Sequence, residues 1–117
     1  MKYLLLVYLD ETWEKRGLAE RQEAYWGQVR ATEELAARGQ YLGGNPLHPT
    51  STATTVRVRD GKRLLTDGPF AETREHLGGY MLIDVENLDE AIEFAARGPL
   101  ARIGTIEVRP VREGPPA

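Results

Sequence analysis

Five residues in one short run have side chains suited to chemistry: Asp67, Glu72, Arg74, His76 and Tyr80, within Asp67-Gly68-Pro69-Phe70-Ala71-Glu72-Thr73-Arg74-Glu75-His76-Leu77-Gly78-Gly79-Tyr80. Asp67 at a strand end beside a cleft would serve as a base or hydrogen-bond anchor, because strand ends and their loops are where scaffolds place function. The plainer alternative is a turn: Asp caps it, Gly68 bends it and Pro69 fixes φ, with Phe70 as a core plug. Arg74 suits a bidentate clamp on a substrate anion; its competing role is an ion pair with Glu72 or Glu75. Glu72 and His76 are four apart and would share a face in a helix, an arrangement that shuttles a proton or binds a metal. A zinc site wants a third protein ligand, and His48 is the only other imidazole. The expectation is therefore a solvated charged segment with no metal. Tyr80 would be a wall or a donor, and Gly78-Gly79 suits a bend or a close backbone approach.

Other machinery is missing from the sequence. There is no Gly-x-Gly-x-x-Gly after a strand and no P-loop. No cysteine is present, which removes thiolate catalysis, disulfides and cysteine-based zinc sites. No hydroxyl nucleophile is paired with a recognisable base. Tyr25, Trp26, Tyr80 and Phe94 are candidates either for a pocket or for ordinary core. No cofactor is expected.

The elements that must position these residues follow from periodicity. Residues 2–9 read as a buried strand, since the apolar run is short and ends at Asp10-Glu11 without a cleavage site. A helix is expected over 18–38, with Tyr25, Val29, Thr32, Leu35 and Ala36 on one face and Trp26 at its edge. Gly39 is a natural stop. A short strand covers 40–44, then a Pro/Thr/Ser-rich loop over 46–53. Thr54–Arg59 and Arg63–Thr66 flank Asp60-Gly61 as a hairpin with a two-residue turn. Residues 80–85 form a strand, and Asn87 with Glu90 opens a second helix through a capping box. Gly98-Pro99 ends that helix, and 105–111 is the last strand. The tail 113–117 is expected to fray, leaving one domain over 1–112.

This order is strand, helix, strand, hairpin, strand, helix, strand. Without the hairpin it is the α+β, ferredoxin-like split βαβ. Two helices would cover one sheet face and leave the other open, so a homodimer through the open face is expected. The chain has 117 residues, 41% hydrophobic, and a formal charge of −3 with acids and bases mixed. That composition supports one core and argues against nucleic-acid binding. No apolar run approaches the ~18 residues of a membrane span, and a cytoplasmic protein is expected.

Several of these segments match one family in register. They are Met1-Lys2-Tyr3, Thr52-Ala53-Thr54-Thr55-Val56-Arg57, Asp67 to Tyr80, Leu88-Asp89-Glu90-Ala91 and Glu107-Val108-Arg109-Pro110-Val111. Together they resemble the DGPF-domain family, a bacterial branch of the YCII-related proteins, over nearly the whole chain. The resemblance implies a dimeric α/β barrel. It also implies relatives that hold aromatic or lactone-like molecules between sheet and helices, and a link to extracytoplasmic-function sigma factors. YCII-type proteins carry a proposed His–Asp pair with its histidine on the first helix. Residues 18–38 contain no histidine, so that pair does not transfer. In the DGPF branch glutamine is more usual at His76 and lysine at Arg74. Two functions follow as expectations: cofactor-free proton transfer of a lyase or isomerase type, or a metabolite-sensing module.

Overall fold

In the computed structural model, which describes residues 1–71 and 73–116, the chain folds as β1 (Lys2–Asp10), α1 (Leu18–Ala37), β2 (Tyr41–Pro46), β3 (Thr54–Arg59), β4 (Lys62–Asp67), β5 (Glu75–Asp84), α2 (Leu88–Arg97), α3 (Leu100–Ile103) and β6 (Thr105–Pro110). Short 3-10 turns lie at Trp13–Lys15 and Thr50–Thr52. Four strands form an antiparallel sheet in the order β2-β5-β1-β6, and β3-β4 form a separate two-stranded sheet. That is the ferredoxin-like arrangement with a hairpin inserted between its second and third strands.

Strand alternation builds the core. Tyr3, Leu5 and Val7 of β1 and Met81 and Ile83 of β5 are buried, as is Val85 just beyond β5. They meet Leu35 of α1 and Ala91, Phe94 and Ala95 of α2. The intervening residues Leu4, Leu6, Tyr8 and Leu82 occupy the opposite face, where Leu4 pairs with Leu82 and Leu6 with Tyr80. Neither long helix packs there, so this apolar face is open.

Local rules set the element ends. Asn87 accepts from the Glu90 amide at 3.0 Å, and the Glu90 carboxylate accepts from the Glu86 amide at 2.9 Å. This is a capping box whose return bond lands one residue before the cap. Gly39 stops α1 with φ of 71°. Asp60 and Gly61 have φ of 51° and 74°, as a primed hairpin turn requires.

Three features differ from the sequence expectation. The buried face of α1 runs through Ala24, Gln28 and Leu35, while Tyr25, Trp26 and Ala36 are exposed. The helix is rotated because a cleft, not the sheet, lies under part of it. The fifth strand begins at Glu75 rather than 80, so the second half of the signature is strand and not a charged loop or helix. Phe70 is 72% exposed, not a core plug, with the Arg57 guanidinium 4.6 Å above its ring.

The β3–β4 hairpin stands off the body. Thr55 is its single half-buried residue; the rest are exposed. The radius of gyration, 16.2 Å, accordingly exceeds the ~13 Å expected for a compact chain of this length.

Candidate functional site

A cavity of about 680 Å³ lies between α1 and the helix-side face of the sheet. Glycines help to leave that space open. Gly44 of β2 pairs with Met81, and Gly79 of β5 pairs with Val7 and Pro46, so both sit on the inward face without a side chain. A Cβ at Gly44 would fall 2.6 Å from the Tyr41 hydroxyl, and one at Gly79 would fall 3.1 Å from the Asn45 carbonyl. Any larger residue at either position would close the edge of the cleft.

A bulge aims the first histidine. The β1–β5 register shifts between Val7 and Tyr8: Val7 faces Gly79, Tyr8 faces Leu77 and Leu9 faces His76. Gly78 is the extra residue. Were Gly78 instead a regular strand residue opposite Tyr8, alternation from the inward-facing Met81 and Gly79 would turn Leu77 inward and His76 outward. The bulge reverses this. His76 therefore shares the inward face with Leu9, and both line the cavity.

The same bulge anchors the second histidine. The Leu47 amide donates to the Gly78 carbonyl at 2.9 Å, which continues the β2–β5 ladder past Pro46. His48 follows directly and also lines the cavity. Both histidines of the chain thus border one cleft. Asp10, Glu11 and Glu14 add carboxylates to its lining. Among the described residues no group of three His, Asp or Glu has a geometry that could hold a metal ion.

The aromatic wall comes from Tyr25, Tyr41 and Trp13; Tyr80, paired with Leu6 on the open sheet face, borders the cavity beside Asn45. Tyr80 receives a hydrogen bond from the Asn45 side-chain amide at 3.4 Å. Burial raises the pKa of Tyr41, with Tyr80 and Tyr25 nearby adding to the effect. Its phenol therefore stays protonated and available as a donor at neutral pH. Arg21, at the rim, is paired with Glu14 at 3.9 Å.

Asp10 has a pKa below the ordinary carboxylate range. The main cause is the Thr12 amide, which donates to its carboxylate at 2.8 Å; the Thr12 side chain adds to this, and Arg74 and Arg16 contribute through their charge. A depressed pKa stabilises the fold above the unfolded value of ~4, and the benefit is lost as pH falls through the folded value. Wild type is therefore expected to melt above Asp10→Asn at neutral pH. The gap should narrow as pH drops below ~4, as thermal unfolding of both proteins across this range would record.

The sequence-selected residues divide between two places. His76 and Tyr80 line the cavity; Asp67 and Arg74 do not. Asp67 pairs with Thr54 at the foot of the exposed hairpin, where the adjacent Gly68 amide donates to the Ala53 carbonyl at 2.7 Å. Arg74 reaches the cleft only through the influence of its charge on Asp10. Glu72 lies outside the described residues. Phe94 is core and Trp26 is exposed. His48 and Gln28, both at the cavity, carry no motif that singles them out. No helix among the described residues is long and apolar enough to cross a membrane.

The fold has a solved counterpart. The 5-chloro-2-hydroxyhydroquinone dehydrochlorinase of Burkholderia phenoliruptrix AC1100, in complex with 2,5-dihydroxybenzoquinone, superimposes with a TM-score of 0.57 at 18% identity, covering 97% of this chain and 96% of that one. An uncharacterised protein of Rhizobium meliloti (strain 1021) is 38% identical over 114 residues, 95% of this chain and 92% of that protein. Residues 1–114 match the YCII-related domain. The open-faced split βαβ sheet, the cleft under α1 and this match place the chain in the YCII-related family.

Proposed function

We propose that this protein binds a small organic molecule in the cleft beneath α1 and moves a proton on it, in a lyase- or isomerase-type step without a cofactor. The observation that carries this reading is the convergence of His76 and His48, the chain's two histidines, on one cavity beside tyrosines and carboxylates. A neutral imidazole accepts a proton near pH 7 and returns it. His76 sits on a strand and is the better-fixed base. His48, on a loop, is placed to return the proton or to bind a leaving group. Tyr41 supplies a wall and a hydroxyl, and Tyr80 borders the cavity from the strand edge. The structural counterpart's name, a dehydrochlorinase with a dihydroxybenzoquinone bound, supports a ring-shaped ligand. Asp67 and Arg74, outside the cavity lining, are left to shape the hairpin foot and the rim charge.

We place the protein in the cytoplasm as a homodimer joined through the open sheet face. Leu4, Leu6 and Leu82 form an apolar patch there, with Leu77 exposed beside it, and such patches mark interaction surfaces. Light scattering after size exclusion should give a dimer at micromolar concentration; a monomer would reject the interface.

The functional test is a thermal-shift screen against aromatic acids, hydroxylated rings, lactones and keto acids, followed by product analysis. A ligand that binds only the folded state raises the midpoint. A hit abolished by His76→Asn and converted by wild type supports catalysis. A hit that is never converted favours the sensing module, whose sigma-factor partner would then be sought by pull-down.

A further inference from the structure

Tyr41 opens β2 and is half-buried, packed against the core. It pairs with the fully buried Ile83, so its ring lies on the inward face of the sheet. The ring of Phe94, tilted and 6.4 Å away between centroids, holds it from the side of α2. The hydroxyl sits so close to Gly44 that a Cβ there would fall 2.6 Å from it, and both residues line the cavity. Among the described residues this hydroxyl has no hydrogen-bond partner, and it is not one of the polar atoms closed off from solvent. It therefore opens onto the cleft as a free donor. The other tyrosines differ. The Tyr80 hydroxyl already accepts from Asn45 at 3.4 Å, and its residue pairs with Leu6 on the open face. Tyr3 donates to the Met1 sulfur, and Tyr25 is exposed. Tyr41 and His76 also stand apart in a useful way. Gly44 pairs with Met81 and Met81 with Leu5, while His76 pairs with Leu9. Those two rungs are four residues apart on β1, about 13 Å. One substituted ring with a hydrogen bond at each end bridges an interval of that order.

We infer that Tyr41 is a catalytic residue whose hydroxyl donates to the carbonyl oxygen of a cyclic ketone or lactone while His76 removes a proton from the adjacent carbon. This rests on the proton-transfer reading proposed above. The C–H bond breaks towards the imidazole, its electron pair forms a C=C bond with the carbonyl carbon, and the carbonyl π pair goes to oxygen as an enolate. The protonated imidazole then returns its proton to the same carbon or to a conjugated one, so no co-reactant is consumed. A donor fixed in place before the reaction stabilises the charge that develops on that oxygen. Burial keeps the phenol protonated at neutral pH, as a donor must be.

The test uses the full chain and 2-tetralone labelled with carbon-13 at its carbonyl. Wild type is expected to lower the carbonyl stretching frequency of the bound ring in the infrared, and to exchange the protons beside the carbonyl for deuterium in heavy water. Tyr41→Phe removes the hydroxyl alone and keeps the ring against Phe94. It should melt as wild type does, bind the probe about as tightly, lose the infrared shift and exchange about 10²–10³-fold more slowly. His76→Asn should keep the infrared shift and lose the exchange. If Tyr41→Phe exchanges as fast as wild type, or shows the same infrared band, the inference is overturned and the cleft reading stands. If Tyr41→Phe melts lower and no longer binds the probe, the hydroxyl is structural and the inference falls. If wild type neither binds nor exchanges the probe, the proton-transfer reading fails for carbonyl rings and takes the inference with it.

Discussion

Turnover of a ring substrate is expected to fall by about 10²–10⁴-fold when His76 is replaced by asparagine, the usual contribution of a positioned proton-transfer group. Asparagine keeps a polar side chain of similar reach, so binding should change less than rate. A complementary change moves the imidazole instead of removing it. Exchanging the two residues, His76→Leu with Leu77→His, carries the imidazole from the position opposite Leu9 to that opposite Tyr8. Successive strand residues face opposite sides of the sheet, so it would point to the open face. Activity should fall as far as in His76→Asn while far-UV circular dichroism stays that of the wild type. Retained activity in the exchange would show that the register does not aim the base. His48→Asn should reduce the rate less, since its loop is tied to the bulge by the Leu47 amide alone among backbone bonds.

Phe94→Ala is expected to cost about 3–5 kcal/mol of folding stability, the range for deleting a large buried aromatic. Phe94 is 1% exposed on α2 and packs its ring against Tyr41 at 6.4 Å between centroids. It therefore joins the second helix to the edge strand that forms one wall of the cleft. Urea unfolding would show the loss as a lower midpoint at a similar slope. The same cavity next to Tyr41 should loosen the phenol that burial keeps protonated, so its ionisation, followed by ultraviolet absorbance, should move toward that of a free tyrosine. A loss below ~1 kcal/mol would mean that the site collapses around the missing ring.

Much of the architecture is legible in the sequence because it is written in local rules. Alternation in β3, the Asp60-Gly61 turn, the Asn87 cap and the Gly39 stop each act within a few residues, and all are found where their chemistry places them. The topology follows from the order of the elements. The cleft is less legible, for a physical reason. Residues that line a cavity are neither core nor surface, so the apolar stripe expected on α1 mixes Val29 and Thr32, which line the space, with Leu35, which packs. Gln28, the polar residue at the heart of the buried face, breaks the stripe and escapes a periodicity argument. The glycine pair at 78–79 signals a bend, but the shift in register depends on β1 across the sheet. His76 accordingly reads as part of a charged segment until the partner strand is known. Asp67 shows the converse: its chemistry suits a base, but the hairpin carries it away from the cavity.

The central claim is that both imidazoles meet a ligand in one cleft. Nitrogen-detected NMR of the histidine side chains tests it most directly, because the chain contains only His48 and His76 and single-histidine variants assign each signal. Addition of a ring ligand that stabilises the protein should shift the imidazole nitrogens of both residues. A ligand that stabilises the protein while both histidine spectra stay unchanged would contradict the claim and place binding elsewhere.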